Sequence, residues 1–505
     1  MNIDYKRHCG ILMHVTSLPS RYGIGDLGDG AYDFIDAIHA SGADLWQILP
    51  LGPTGYGNSP YSPRSSFAFN ELLISPDELI RDGYLTKDDV KDTPPFREDK
   101  AEFDKVRAYK MPLLRKAAIN FLKEGKEEED FNSFLDAERF WIYDYAIFMI
   151  LYEKYQDARW MFWERGERNR ETAVMERIME ERADEIKIYL AMQYLFHKQW
   201  NAIKAYASLK HISIIGDIPI FVGRDSADTW SHPELFKRDE CGNFNKVSGV
   251  PPDSFSPTGQ LWGNPVYDWQ KHEETDFKWW KERIRRTLET VDILRIDHFR
   301  GFDAYFEIDA KEKTAERGIW VKSPGDKLFN ALEKEFGKLN IIAEDLGFIT
   351  ESVEKLRMKY GFPGMKIVQD GFGETADGLL NSRDTFLPHN YTRHFVAYPG
   401  THDNNTIKGW FSSLNDRMKN HVLEYLDCTE NDICWTLIRA LMMSNADYTV
   451  FSTQDLLCLD CDARMNIPST CNDINWSWRM RKGEFTTEIR ERLKKLNRLS
   501  ARGLF

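Results

Sequence analysis

Eight short apolar runs, separated for the most part by stretches of helical periodicity, constrain the fold of this chain more than any other feature. They cover residues 10–16, 44–51, 212–222, 291–297, 340–345, 365–369, 394–398 and 448–453. Short apolar runs of this kind are typical of strands that are buried on both faces, as in parallel sheets. Because helical patterns such as residues 326–335 and 351–360 fall between them, the order predicts an α/β fold, specifically a TIM (β/α)8 barrel.

The segment between the second and third runs departs from this order. It is charged and helical in pattern from about residue 76 to residue 210, which predicts a large, mainly helical insertion after the second strand. The expected organisation is therefore residues 1–75 with the first two barrel units and an active-site loop, residues 76–210 as the insertion, and residues 211–505 with the remaining units. A lid loop is expected at residues 249–264, because its prolines stiffen it and its glycines can act as hinges.

Composition limits the possible partners. A net charge of -13 argues against nucleic acid and anionic membranes, which both require clustered Lys and Arg, and favours a neutral substrate. The sequence has no apolar run long enough for a membrane span and no signal-peptide core at its start, so we expect a cytoplasmic protein without a membrane partner. Its 7 cysteines are sparse, and the lone pair Cys458 and Cys461 lacks the second pair that a zinc site needs.

Acidic residues follow four of the apolar runs. Asp217, Asp297, Glu344 and Asp403 lie at or just beyond the carboxyl ends of the predicted strands, where TIM-barrel active sites are built. Like charges in one site raise the pKa of one of them, so such a cluster is costly unless it is used. Cleavage of a glycosidic bond needs such a pair, with one carboxylate as nucleophile and one carboxylic acid as proton donor.

The stretch VDILRIDHFRG at residues 291–301 places Arg295 two residues from Asp297 on one strand, so both point to the same side. We expect this guanidinium to hold Asp297 ionised at neutral pH. A divalent metal site is the competing interpretation of the carboxylates. Arg295 and Arg300, with His402 beside Asp403, place cations where a metal would sit, so the pattern favours sugar chemistry without a metal.

Aromatic residues in loops rich in glycine and proline add to this interpretation. Tyr56, Tyr61, Phe255 and Trp262 lie outside periodic segments, where a ring is available to stack on the apolar face of a sugar.

Ten motifs are spread along the chain: HVTSLPSRYGIGDLG, WQILPLGPTG, GDIPIFV, GVPPDSFSPTGQLWGNPVYDW, LRIDHFRGF, IIAEDLG, GFPGMKIVQ, GTHDNNT, QDLLCLDCDARMNIPST and NWSWR. Together they resemble those of the 4-α-glucanotransferases of glycoside hydrolase family 77, in the α-amylase clan. The resemblance covers nearly the whole chain outside the helical region. It implies a barrel without a C-terminal β-sandwich, transfer of an α-1,4-glucan segment to the 4-hydroxyl of glucose or another glucan, and no cofactor or metal.

Roles follow from the resemblance by motif. It implies that Asp297 is the nucleophile, Glu344 the general acid and base, and Asp403 a residue that stabilises the transition state. The implied substrate-binding residues are Arg295, His402, Tyr61, Asp217, Asp253, Gln260, Trp262 and His298.

Two positions depart from the family pattern: Asp370 stands where an aromatic is common, and Asn405 where an aspartate is common. Preferences for chain length or ring formation are therefore not carried over. Two other functions stay open, namely an α-glucan hydrolase of the same clan and a non-catalytic sugar-binding barrel. The expected partners are maltooligosaccharides and other α-1,4-glucans, and the expected state is a monomer or homodimer.

Overall fold

The computed structural model of the chain describes residues 6–252 and 256–505. Its strands are β1 (His8–Leu12), β2 (Leu45–Gln47), β3 (Ser213–Pro219), β4 (Lys246–Val250), β5 (Gln260–Pro265), β6 (Ile293–Asp297), β7 (Ala304–Asp309), β8 (Gly318–Lys322), β9 (Ile341–Ala343), β10 (Gly364–Ile367), β11 (Phe395–Tyr398) and β12 (Tyr448–Ser452).

The centre of the molecule is an eight-stranded parallel sheet in the order β10-β11-β12-β1-β2-β3-β6-β9. Each of the eight predicted runs contains one of its strands, apart from shifts of a few residues at the ends. The first and last strands of this order meet, because the Ala343 amide donates to the Pro363 carbonyl at 2.9 Å and the Met365 amide donates to Asp345 Oδ1 at 2.7 Å. A Cβ at Gly364 would lie 2.3 Å from the Asp345 carboxylate, so this seam requires glycine there. The TIM-barrel prediction is confirmed.

Helices surround the barrel. They are α1 (Asp29–Ala40), α2 (Pro76–Arg81), α3 (Phe103–Glu124), α4 (Glu128–Ala137), α5 (Ile142–Tyr155), α6 (Arg165–Arg168), α7 (Thr172–Glu181), α8 (Ala183–Leu209), α9 (Ala227–Ser231), α10 (Trp269–Glu274), α11 (Lys278–Thr290), α12 (Gly325–Phe336), α13 (Glu351–Lys359), α14 (Ile407–Ser413), α15 (Asp416–Leu426), α16 (Ile433–Met443), α17 (Thr453–Leu456) and α18 (Thr487–Ser500). None of the described helices is both long enough and apolar enough to span a membrane.

The long helix α8 attaches the helical region to the barrel. Its Gln193 side chain bonds both backbone groups of Phe69, at 2.8 and 2.9 Å, and its Gln199 side chain does the same for Ser75 at 2.8 and 3.2 Å. These amides satisfy backbone groups of a buried segment that has no strand partner, as buried polar groups require. Helix α8 therefore also fixes the conformation of the chain that comes after β2 and its active-site loop.

A second sheet was not predicted. Strands β5, β4, β7 and β8 form an antiparallel sheet in that order, inserted after β3 and after β6. Its own small core consists of Val247, Phe306, Ile308 and Ala315. The predicted lid loop at 249–264 is largely a hairpin of this sheet, since Gly249 pairs with Leu261 and Val250 with Gln260. Beyond β12 the described chain continues as α17, α18 and connecting loops.

Candidate active site

The carboxyl end of β6 places an arginine between two carboxylates. Arg295 Nη1 donates to Asp217 Oδ2 at 2.5 Å, and its Nη2 donates to Asp297 Oδ1 at 3.1 Å. Asp217 is the register partner of Arg295 on β3, and both side chains are buried. Because Asp297 lies two residues beyond Arg295, the strand directs both side chains to the same side, as the alternation predicts. The guanidinium therefore fixes the position of Asp297.

Glu344 follows β9, the strand next to β6. Ile296 pairs with Ala343, and Asp297 and Glu344 each come one residue later. The two acids therefore lie at the same level of the barrel, on neighbouring segments about 4.8 Å apart. The backbone amide of His298 donates to Glu344 Oε2 at 2.7 Å, and that of Leu346 donates to Oε1 at 3.1 Å. Each oxygen of this carboxyl thus has a fixed donor, which sets its orientation.

Burial makes the two carboxyls harder to ionise than ordinary acids on the protein surface. It raises the pKa of Glu344 from 4.5 to about 8, and the charge of Asp297 adds to this effect. Burial also raises the pKa of Asp297 above 3.8, although Arg295 and His402 oppose it. Arg295 therefore opposes the rise in the pKa of Asp297 but does not cancel it, because desolvation is the larger effect. Ionisation of Asp297 at neutral pH stays a prediction. Glu344 carries a proton at neutral pH, as a general acid requires.

Asp403 lies in the loop after β11, and the loop after β12 holds it. Asn466 Nδ2 donates to Asp403 Oδ1 at 2.6 Å, and the Arg464 guanidinium donates to the Asp403 backbone carbonyl. His402 Nε2 lies 3.4 Å from Asp403 Oδ2. The carboxylate is partly exposed while its neighbour His402 is buried, so Asp403 is available to a ligand from a fixed support.

Tyr61, from the loop after β2, joins these groups. Its hydroxyl donates to Asp217 Oδ2 at 2.7 Å, and its ring stacks on His402 with centroids 4.8 Å apart and planes at 14°. Trp476 packs against both rings at 5.8 and 5.7 Å. Burial raises the pKa of Asp217 to about 7, against the opposing effect of Arg295. The result is a polar wall with one aromatic face beside Asp297.

The small sheet contributes residues on another side of the carboxyl pair. Trp262 on β5 meets the His298 ring edge to face, with centroids 4.8 Å apart, and its indole N–H donates to Gln260 Oε1 at 3.2 Å. His298 has a positive φ of 52°, which turns the chain just after Asp297. Burial and the nearby Arg300 lower the pKa of His298 to about 3, so its imidazole is neutral.

The remaining predicted binding residue, Asp253, lies outside the described residues, as does Phe255. Tyr56 lies in the loop after β2 with 84% of its surface exposed. Residues 6–252 and 256–505 contain no group of three or more His, Cys, Asp or Glu side chains that could hold a metal ion. The cysteines of the described chain, including Cys458 and Cys461, are free thiols.

Known proteins resemble this chain over nearly its whole length. The 4-alpha-glucanotransferase model of glycoside hydrolase family 77 matches residues 13–486. The chain belongs to this family. Within the 4-alpha-glucanotransferase family it is 43% identical over 495 residues to the enzyme of that name from Clostridium butyricum, covering 97% of this chain and 100% of that one.

Solved structures extend the comparison to three dimensions. The amylomaltase from Streptococcus agalactiae, solved in complex with acarbose, matches with a TM-score of 0.94 and 41% identity over 99% of this chain and 100% of that chain. The amylomaltase from Corynebacterium glutamicum matches with a TM-score of 0.78 and 20% identity, over 97% of this chain and 75% of that chain, and this likeness shows the fold alone.

Sequence reasoning missed several residues that build the site of this family member. Asn466 and Arg464 hold Asp403, and Trp476 packs on Tyr61 and His402. These residues lie in the motifs DARMNIPST and NWSWR, so the motifs themselves were the available signal. Their contacts join loops that are far apart in sequence, and no local pattern predicts such pairs.

Proposed function

We propose that this protein is a 4-α-glucanotransferase that moves a segment of an α-1,4-glucan to the 4-hydroxyl of glucose or another glucan. The observation that carries the proposal is the pair Asp297 and Glu344. They follow neighbouring strands at one level, and Glu344 has a pKa near 8. Retaining glycosidases use two carboxyls about 5 to 5.5 Å apart, and a strand spacing of about 4.8 Å supports that geometry.

In the proposed first step the ionised Asp297 attacks the anomeric carbon of the donor. The carbon–oxygen bond to the leaving glucan breaks, and its oxygen takes the proton of Glu344. A glycosyl ester on Asp297 and an ionised Glu344 result. Arg295, 3.1 Å from Asp297, fixes the nucleophile and stabilises its charge before the attack.

In the second step the 4-hydroxyl of the acceptor loses its proton to Glu344 and attacks the same carbon. The ester bond breaks, Asp297 is released as a carboxylate, and the new glycosidic bond has the original configuration. The neighbouring charge of Asp297 returns and again favours the protonated form of Glu344. The pair therefore completes its cycle with no added proton donor.

We assign the donor sugar to the wall formed by Tyr61, His402 and Asp403. The stacked Tyr61 ring offers an apolar face, while His402 and Asp403 offer polar groups to hydroxyls. Asp217 supports this wall because it accepts from both Tyr61 and Arg295. Charge that develops on the sugar ring in the transition state is stabilised by the nearby carboxylates.

Transfer instead of hydrolysis requires that water be held out while the acceptor enters. The β4–β5 hairpin supports this function, because Trp262 lies 37% exposed beside His298, whose backbone amide holds Glu344. We expect Trp262→Ala to raise the ratio of hydrolysis to transfer on maltotriose, measured as reducing sugar released per glucan transferred. An unchanged ratio with both rates lowered would assign Trp262 to substrate positioning alone.

The activity itself is tested with maltotriose and thin-layer chromatography of the products. We expect longer and shorter maltooligosaccharides from the natural protein and none from Asp297→Ala, while Glu176→Ala, an exposed change on α7, keeps the wild-type pattern. Products from Asp297→Ala would mean that another carboxyl is the nucleophile. Release of glucose and maltose without longer products would favour the hydrolase, and intact maltotriose would favour the binding protein.

Three sequence-based expectations stay predictions: the division at residues 75 and 210, a cytoplasmic location, and a monomer or homodimer. The proposed reaction does not depend on any of these three predictions.

A further inference from the structure

Two exposed aromatic rings lie on the segments that follow β9 and β6, the strands of the carboxyl pair, and not on the loops that carry Tyr61 and His402. Phe348 is 71% exposed in the loop that follows Glu344, and Trp320 is 38% exposed on β8. Loops after β2 and β11 carry Tyr61 and His402, whereas these two rings belong to the segments after β9 and β6. Exposed large aromatic side chains that lie together on a protein surface indicate a binding surface.

A buried arginine joins the two rings. The Arg300 guanidinium carbon lies 3.7 Å from the ring centroid of Trp320 and 5.5 Å from that of Phe348. Its Nη1 also donates to the backbone carbonyl of Phe348. Arg300 follows Asp297 by three residues and is 5% exposed, so one side chain adjacent to the nucleophile braces both rings.

The segments that carry the rings are fixed to one short stretch of chain. Ser323, just after β8, donates to the Gly301 carbonyl at 2.7 Å, and Lys322 contacts Asp303 at 2.9 Å. From the other segment, Ser352 donates to Asp303 Oδ2 at 2.8 Å. A surface held in this way is ordered before a ligand arrives, which lowers the entropic cost of binding.

We propose that Phe348 and Trp320, braced by Arg300, form a platform that binds the acceptor glucan beyond its first sugar. The inference rests on the proposed function and concerns the same cleft. Glu344 must face the oxygen that leaves or enters, so the leaving glucan and the acceptor lie on its side. At most about 14 Å of chain separates Glu344 from Phe348, a span that a short glucan bridges. The platform makes this chain prefer acceptors longer than glucose.

The test uses an α-maltotriosyl fluoride donor, because fluoride is small and leaves the acceptor side free. Fluoride release is followed with glucose, maltose or maltotriose as acceptor, in the wild type and in Phe348→Ala. We expect the preference for maltotriose over glucose, as a ratio of kcat/KM values, to fall about tenfold, which is the effect of about 1.4 kcal/mol. Phe348→Tyr, which keeps a ring, should retain the preference.

The matched control is Phe162→Ala, since Phe162 is 76% exposed in the helical region and also has an arginine, Arg159, over its ring at 5.3 Å. It should leave the acceptor preference as in the wild type. An unchanged preference in Phe348→Ala, or an equal fall in both variants, overturns the platform. A change in sedimentation coefficient in Phe348→Ala without a change in preference would assign the ring to contact between protein copies, and also overturns it.

A separate measurement distinguishes this inference from the proposed function. Calorimetric binding of maltoheptaose to Asp297→Ala, with and without Phe348→Ala, does not depend on turnover. We expect about tenfold weaker binding when the ring is absent. If the wild type hydrolyses the fluoride without transfer, the proposed function fails. Equal binding of maltoheptaose by the two proteins refutes the platform by itself.

Discussion

Replacement of the proposed acid, Glu344→Gln, should stabilise the folded protein more strongly as the pH rises. The pKa of this carboxyl is 4.5 in an unperturbed setting and about 8 in the folded chain. The folded state therefore binds more protons than the unfolded state above pH 4.5, and stability falls as the pH rises toward 8. Glutamine does not titrate, so the stability of the variant does not fall in this way as the pH rises.

The magnitude follows from linkage. The raised pKa costs the folded protein less than about 1 kcal/mol at pH 5, about 3 kcal/mol at pH 7 and about 4 kcal/mol at pH 8. Glu344 keeps part of its surface open to the cleft, and solvent screening there reduces these values. We expect about 2 kcal/mol between pH 5 and pH 8, or about 2 °C in the melting temperature of a chain this long.

One opposing effect does not depend on pH. The amides of His298 and Leu346 each donate to one oxygen of Glu344, and glutamine offers a single acceptor oxygen. The lost hydrogen bond costs about 1 to 3 kcal/mol at every pH and shifts the whole curve downward. The informative quantity is therefore the change in melting temperature with pH, relative to wild type.

The assay compares thermal unfolding of wild type, Glu344→Gln and the exposed control Glu176→Gln from pH 5 to pH 8. The melting temperature of Glu344→Gln should rise relative to that of wild type from pH 5 to pH 8, and that of the control should not. In an Asp297→Asn background the gain should shrink, because the Asp297 charge contributes to the raised pKa of Glu344. Parallel curves for wild type and Glu344→Gln would refute the reasoning that burial keeps this carboxyl protonated.

Three further predictions concern other parts of the site and the barrel. Asn466→Ala removes the 2.6 Å hydrogen bond to Asp403 and should lower kcat on maltotriose about 10- to 100-fold with little change in melting temperature. Tyr61→Phe removes a donor to Asp217 and should raise the pKa of that carboxyl above its value of about 7, as followed by carbon-13 NMR of the aspartate carboxyls. Arg502→Ala removes a donor from the buried backbone carbonyls of Met442, Ser444 and Ala446, the first two of which also accept from Arg7, and should destabilise the protein by about 2 kcal/mol or more, seen in thermal unfolding, while kcat of the folded fraction is unchanged.

The barrel was predictable because its strands are buried on both faces. A run such as ILRI on β6 has no solvent-facing positions to interrupt it, so it reads as a strand without any knowledge of its neighbours. The small sheet has a different pattern. β8 reads GIWVK and is largely exposed, and β5 includes glycine and proline, so neither resembles a buried strand. Their pairing depends on contacts between segments that the sequence does not indicate.

The site was predictable to the level of its residues but not of its energetics. The acids at the strand ends, with Arg295 beside Asp297, could be read from spacing because parallel strands end at one edge of the barrel. The sign of the shift at Asp297 could not be read, because it depends on burial as well as on the adjacent charge. The hydrogen bond from Asn466 to Asp403 could not be predicted either, since it joins the loops after β11 and β12.

Burial of the carboxyls makes their ionisation costly, and the proposed chemistry depends on the same burial. Desolvation raises the pKa of Glu344 and of Asp297 together, and Arg295 opposes the rise at both carboxyls. Arg295 contacts Asp297 at 3.1 Å but is not a hydrogen-bond partner of Glu344 in the described chain, so it favours ionisation of the first carboxyl more than of the second. One guanidinium placed off centre therefore makes two similar buried acids differ in how readily they ionise, which is the difference that the proposed nucleophile and proton donor require. Moving that charge toward Glu344 would remove the difference even if every carboxyl remained in place.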